Sequence, residues 1–389
     1  MRHILWINEY AHLLGGCEQY IYNTVNLLKQ RGVRSTFLYD AITGLASPEM
    51  LRAFDGAYPL VDPARQVAEI APNLIYVHRL TGRESLLRLA ATGIPVVRFF
   101  HDHKLFCLRE HKYKTVSRIT CTKPIGFRCY PCLGFVKRGT GRLGLRFSTV
   151  AALRRELRAN LGLDAFVTGS HYMAEHVAAH GFDRGRIHVL PLYAMPPEPN
   201  PEIERQRNLL LFAGQLIRGK GLDVLLKALK LAPRPVRLAV VGTGRQEGLY
   251  RAMTASLGLD GRVSFKGPLA GRDVAAYYQR ATCVVVPSRA PETFGLIGPE
   301  AMSYGTPVIA SAVGGTGEWL EDGQTGFAVS PNDPTALAQA IDRLVGDEAL
   351  AARMGETARR RYDERFRPEH HVEALIKLYD TLVKETAGS

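Results

Sequence analysis

With 389 residues, 46% of them apolar by type, and no low-complexity tract, the chain is globular and too long for one core, so two domains are expected. No apolar run approaches the roughly 18 residues of a spanning helix. The start, MRHILWINEYAHLLGG, lacks a signal-peptide pattern, so a cytoplasmic protein with reduced cysteines is expected. The net charge of +13 is concentrated: from His103 to Arg158, five lysines and nine arginines face only Glu110 and Glu156. Nucleic acid, an anionic membrane surface or a phosphorylated substrate would each suit such a stretch.

In chain order, short β-branched runs alternate with helical patterns, which predicts parallel sheets with crossover helices. The first half gives strands at 3–8, 35–40, 74–78, 95–100, 165–170 and 187–191, with a helix over 17–32 closed by Gly32. A proline-rich, apolar-poor stretch, PLYAMPPEPNPEIERQR (191–207), reads as the linker. The second half repeats the alternation, with strands at 208–214, 236–242, 262–267, 282–288, 306–311 and 326–330. The expected organisation is a doubly wound domain over 1–190 carrying a cysteine-rich basic insertion at about 103–146, a linker over 191–205, a second such domain over 206–366, and an amphipathic helix over 367–389 that can return to the first domain. In such sheets ligands sit at the carboxyl ends of the strands.

The segment APETFGLIGPEAMSYG (290–305) places Glu292 in a strand-to-helix loop and Glu300, just after Pro299, in the first turn of the following helix. Backbone N–H groups of that loop can face a phosphate, and a carboxylate on either side can align hydroxyls, an order of groups that matches a sugar, a diphosphate and a ribose. Two glutamates near a helix start also favour the dipole without any ligand, and spacing alone leaves both readings open. GQLIRGKG (214–221) adds Arg218 and Lys220 in a glycine-rich turn where cations can meet a diphosphate. VVGTGRQ (240–246) is another glycine turn, without the third glycine of a dinucleotide fingerprint. VGGTGEWL (313–320) supplies more backbone donors, with Glu318 as a capping or hydroxyl-binding carboxylate; LLGGCEQY (13–20) opens a helix with Gly15 and Gly16, where bare backbone can approach a phosphate.

Together these motifs, in this order and spacing, resemble the family 4 retaining glycosyltransferases of the GT-B fold, over nearly the whole chain and most specifically in the second half. The resemblance implies an α/β architecture of two tandem Rossmann-like domains facing across a cleft. It implies transfer of a sugar from a UDP- or GDP-sugar to a glycan or lipid-linked acceptor, in cell-surface polysaccharide or glycolipid synthesis, with no catalytic metal. The family's E-x7-E motif is matched by Glu292, implied to hold the donor sugar, and Glu300, implied to hold the ribose. Arg218 and Lys220 are implied to neutralise the diphosphate. Gly214, Gly242 and the backbone of Phe294, Gly295 and Leu296 are implied to bind phosphate and donor, with Gly15 and Gly16 on the donor side of the first domain. His101, in FFHDHKLFC, falls where the family often has a histidine near the sugar, and His103 competes for that place. Gln215 stands where many members have an arginine, so Arg218 is expected to compensate.

Cys107, Cys121, Cys129 and Cys132 follow C-x13-C-x7-C-x2-C inside the basic stretch, a set suited to a structural zinc, with an iron–sulfur cluster and unconnected thiols as the alternatives. Cys17 and Cys283 read as unrelated to it, Cys283 as core packing. The cationic segment 103–158 is expected to rest on an anionic membrane face, making the enzyme peripheral to the inner leaflet. A nucleic-acid partner is not expected, because no aromatics interleave the charges; an epimerase or phosphorylase of the same fold, or a zinc-knuckle nucleic-acid binder, are the competing readings.

Overall fold

The computed structural model describes residues 2–13, 15–40, 46–80, 82–114, 119–132, 134–138 and 145–387. Parts of the basic stretch, at 115–118, 133 and 139–144, lie outside the described residues. The chain forms two compact units, one from Met1–His111, Thr122–Leu190 and Glu369–Ser389, the other from Lys112–Cys121 and Pro191–Pro368.

The first unit carries β1 (His3–Asn8), α1 (Gly16–Lys29), β2 (Arg34–Tyr39), α2 (Pro48–Arg52), β3 (Gly56–Pro59), α3 (Pro63–Ile70), β4 (Leu74–Val77), α4 (Arg83–Ala90), β5 (Val96–Phe100), β6 (Val136–Arg138), β7 (Leu145–Phe147), α5 (Val150–Asn160), β8 (Ala165–Thr168), α6 (His171–Ala178) and β9 (Ile187–Val189). Its main sheet is parallel, in the order β3-β2-β1-β4-β5-β8-β9, while β6 and β7 pair antiparallel by themselves. All six residues of β1 are buried, as a strand covered on both faces requires. The second unit carries β10 (Leu209–Ala213), α7 (Leu222–Leu231), β11 (Arg237–Val241), α8 (Glu247–Ser256), β12 (Val263–Gly267), α9 (Gly271–Arg280), β13 (Cys283–Val286), α10 (Ile297–Ser303), β14 (Val308–Ser311), β15 (Gly326–Val329), α11 (Pro334–Gly346) and α12 (Glu348–Arg365). Its sheet order is β12-β11-β10-β13-β14-β15.

Both sheets are doubly wound. The strand order reverses between β1 and β4 in one and between β10 and β13 in the other, and ligands in such sheets settle beyond the carboxyl ends at that reversal. The expected strands are present to within two residues at their ends. In the main sheets one strand escaped expectation: β3, Gly-Ala-Tyr-Pro, has no β-branched residue, and as an edge strand it tolerates Pro59.

The cysteine-rich basic insertion also has regular structure, in the β6–β7 pair and a 3₁₀ turn over Phe127–Cys132. The basic run after it ends in α5, which Thr149 caps through a 3.0 Å bond from the Ala152 N–H and which buries Val150, Leu153 and Leu157 in the first unit's core. The proline-rich stretch is neither helix nor strand. It lies on the second unit, where the Tyr362 hydroxyl donates to the Ala194 carbonyl at 3.1 Å. A last helix, α13 (Pro368–Ala387), belongs to the first unit: Arg2 grips Asp380 with two bonds of 2.8 and 2.7 Å, and Tyr20 meets His371 at 2.8 Å.

Candidate functional site

In the second unit, the loops beyond β10 and β13, the two strands at the reversal, carry most of the expected residues. After β10 the chain runs through Gly214 into a 3₁₀ turn over Arg218–Lys220, and Gly221 then opens α7. Gly242, at φ +128°, lies so close that a Cβ there would sit 2.0 Å from the Gly214 carbonyl oxygen. Glycine at 242 therefore lets the two turns press together, and the Leu216 N–H donates to Thr243 O at 2.9 Å.

Lys220 does not stand open toward solvent. Its ammonium donates to both carboxylate oxygens of Glu292, at 2.7 and 2.9 Å, and Ser288 donates to Oε1 at 2.5 Å. One residue expected on the sugar and one expected on the diphosphate are thus paired with each other. Arg218 instead lines a hollow of about 480 Å³ with Asp223, Lys227, Tyr250 and Arg289.

Glu300 lies in the first turn of α10 and is half-buried, and its desolvation raises its carboxyl above the usual range; the Tyr278 hydroxyl, donating to Oε2 at 2.5 Å, opposes that rise. The loop between the glutamates is pinned from behind by Trp319, whose indole N–H donates 2.8 Å to the Phe294 carbonyl. The Gly315 N–H donates 2.7 Å to the Glu292 carbonyl, and Gly295 takes a positive φ of 88° against the indole. Leu296 precedes α10 and its carbonyl accepts the Glu300 N–H at 2.9 Å. Glu318 is buried in a 3₁₀ turn, Gly315–Glu318.

Sequence reasoning missed Tyr278, Trp319 and Arg289. Arg289 is buried and forks onto Asp223 with two bonds of 2.5 Å, tying the loop after β13 to α7. Its only sequence signal was a cation directly after the PS of strand 282–288. Residues 112–121, which belong to this unit, reach the same loop through Thr120, whose hydroxyl donates to the Arg289 carbonyl at 3.5 Å.

In the first unit the reversal between β1 and β4 gathers a second set. Asn8 ends β1, Gly15 precedes α1 and Gly16 begins it, and a Cβ on Gly15 would sit 2.5 Å from the Glu18 carboxylate. Glu18 accepts from Asn8 at 3.3 Å and from Arg79 at 3.2 Å, and Arg79 reaches Asp102 at 3.2 Å. His101 meets His78 at 2.8 Å, and burial, then Arg79 and Arg98, hold His101 well below the usual imidazole pKa. His78 carried no role in the sequence reading; a histidine at the carboxyl end of a strand beside the reversal was the available signal. His103 is set apart: it is buried with its ring edge-on to Tyr172 and His176 of α6.

Cys17, His78 and His101 form the one group of three metal-ligating side chains whose donor atoms lie within 4.8 Å of one another among the described residues. Cys107, Cys129 and Cys132 do not gather in this way, and Cys121 belongs with the second unit.

The chain matches the family model described as Glycosyltransferase Family 4 over residues 14–192 and that described as Glycosyl transferases group 1 over residues 198–361. A D-inositol 3-phosphate glycosyltransferase of Xylanimonas cellulosilytica is 34% identical over 242 residues, 57% of this chain and 58% of that one. O-antigen chain mannosyltransferase C of Escherichia coli is 35% identical over 179 residues, 46% and 47% of the two chains. The chain thus spans about half the length of these curated relatives.

Among solved structures, Anabaena HepE in complex with UDP and glucose superposes at a TM-score of 0.71 and 19% identity, covering 98% of this chain and all of that one. A glycosyltransferase from Rickettsia africae superposes at 0.75 and 18%, over 98% and 99%. At these identities the likeness is one of fold, and that fold is GT-B. With one family model on each half and this architecture beneath both, the chain belongs to the group 1, family 4 glycosyltransferases.

Proposed function

We propose that the second unit binds a nucleoside-diphosphate sugar and that the chain transfers the sugar, with retained anomeric configuration, to a hydroxyl of a glycan or lipid-linked acceptor in cell-surface polysaccharide or glycolipid synthesis. The observation that carries this reading is the convergence of the Arg218–Lys220 turn and the Glu292–Glu300 loop at the reversal of the second sheet. The UDP and glucose bound by the HepE structure of the same fold support it.

In this reading Glu300 holds the ribose hydroxyls, Lys220 and Arg218 neutralise the diphosphate, and Glu292 and the loop backbone at Phe294–Leu296 hold the donor. Gly15 and Gly16 allow close backbone approach in the first unit, which supplies His101 and reads the acceptor. The bond from the anomeric carbon to the diphosphate oxygen breaks and one to the acceptor oxygen forms on the same face, while the acceptor's proton passes to the departing phosphate. Fixed cations and peptide dipoles stabilise the charge that grows on the leaving group. Neither glutamate is a nucleophile here, because the two grip different parts of the donor.

A thermal-shift screen with UDP, GDP, ADP and their sugars tests this. A bound nucleotide at a hundred times its Kd adds about 2.7 kcal/mol of stability. No shift with any of them, and no turnover of their sugars, would remove the reading.

Two further parts of the proposal have their own measurements. A structural zinc on Cys107, Cys121, Cys129 and Cys132 requires those sulfurs to draw together, and metal analysis of the purified protein reads one zinc per chain or none. Docking of the basic stretch on anionic lipid predicts co-sedimentation with anionic but not neutral vesicles at low salt. No helix among the described residues is long and apolar enough to cross a membrane.

A further inference from the structure

His78 follows β4 directly, and its N–H donates to the Ile7 carbonyl of β1 at 2.8 Å. The ring lies parallel to Trp6 at 5.3 Å between centroids and is packed against Tyr76 at 4.5 Å and Tyr20 at 5.7 Å. So confined, its Nδ1 faces Nε2 of His101 at 2.8 Å, while its other nitrogen, Nε2, is buried with no hydrogen-bond partner. The His101 ring is held in turn by stacking on Phe99 at 3.8 Å. Two neutral rings facing each other through one nitrogen apiece share a single proton in that bond.

The orphaned Nε2 of His78 decides which ring donates. Were His101 the donor, the proton of His78 would sit on Nε2, an N–H buried with nothing to accept it. With His78 donating from Nδ1, its Nε2 is a bare lone pair, and buried unpaired acceptors are tolerated more often than buried unpaired N–H groups.

We propose that His78 is a positioning residue that donates its Nδ1 proton to Nε2 of His101, fixing His101 as the Nδ1–H tautomer and aiming its one proton from Nδ1. His101 then acts toward substrate as a hydrogen-bond donor with its Nε2 occupied, not as a base through that nitrogen. The inference rests on the reading of His101 as the sugar-side histidine.

Long-range ¹⁵N correlation spectra of histidine-labelled protein, assigned with His101→Gln, read the tautomer directly. The expected result is Nδ1–H for His101 in the wild type and a mixture of tautomers in His78→Phe, which keeps the ring packing and removes the donor. His78→Phe is expected to lower kcat at least tenfold with donor KM and the nucleotide thermal shift within twofold of wild type. His78→Asn, whose amide N–H replaces the Nδ1 donor, is expected to recover most of the rate. An Nε2–H tautomer for His101 in the wild type overturns the proposal, as does an unchanged kcat in folded His78→Phe. If His78→Phe does not fold, the wild-type spectrum and the asparagine variant decide. Should the wild type turn over no nucleotide sugar, the transferase reading falls while the spectrum still judges the tautomer.

Discussion

The Lys220 ammonium sits 2.7 Å from one carboxylate oxygen of Glu292 and 2.9 Å from the other, so the cation proposed for the diphosphate and the carboxylate proposed for the sugar neutralise each other. Both side chains are mostly shielded, at 26% and 13% exposure, so the pair is more than a surface contact. In the proposed reading, an entering donor exchanges partners with the pair, its phosphate taking Lys220 and its sugar taking Glu292.

Glu292→Gln therefore separates the two roles. It frees Lys220, so affinity for the nucleoside diphosphate is expected to hold or rise, while sugar turnover falls by about a hundredfold or more. Lys220→Met is expected to weaken diphosphate binding by about 1.5–3 kcal/mol, the range for a lost charged hydrogen bond. Calorimetric titration with the diphosphate and with the corresponding nucleoside checks both.

Glu300→Ala is expected to abolish the nucleotide thermal shift. Tyr278→Phe should bind more weakly but measurably. Without the tyrosine bond, burial raises the Glu300 pKa further, so the weakening grows as pH falls and the carboxylate protonates. Affinities measured from pH 8 down to pH 5.5 check this; parallel pH profiles for variant and wild type would contradict it.

Trp319 is 1% exposed, and its N–H holds the Phe294 carbonyl. Trp319→Ala is expected to lose about 3–5 kcal/mol of stability in denaturant titration, as large-to-small core changes do. It should also lower donor affinity, because the loop between the two glutamates loses its rear support.

Burial keeps His78 and His101 neutral in the fold, their pKa values held well below the usual imidazole range. In the unfolded chain each takes up a proton as pH falls past about 6.5, and the folded protein does not. Their stabilising contribution is therefore complete above that pH and is lost on acidification, by up to about 1.4 kcal/mol per pH unit for each histidine. Melting temperatures between pH 7.5 and 5.5 should fall more steeply for the wild type than for His78→Phe.

The sheets were legible because buried parallel strands concentrate β-branched residues, as CVVV in β13 shows, and β3 escaped because its four residues have none. Spacing placed the two glutamates on either side of one strand-to-helix loop, and only the resemblance gave them a ligand role. Their supports were not legible: Tyr278 is 22 positions from Glu300 and Trp319 is 25 from Phe294, and neither residue type at those separations marks a contact. The grouping of residues 112–121 with the second unit was equally hidden, since chain order alone assigns them to the first.

The hold of Arg2 on Asp380 and of Tyr20 on His371 has a consequence for biosynthesis. A ribosome releases β1 and α1 early, yet the helix that covers them, burying Val372, Leu375, Leu378 and Leu382, begins only at Pro368. The second unit, nearly continuous in the chain, can complete before the first is sealed, so in the nascent polypeptide maturation runs against the order of translation.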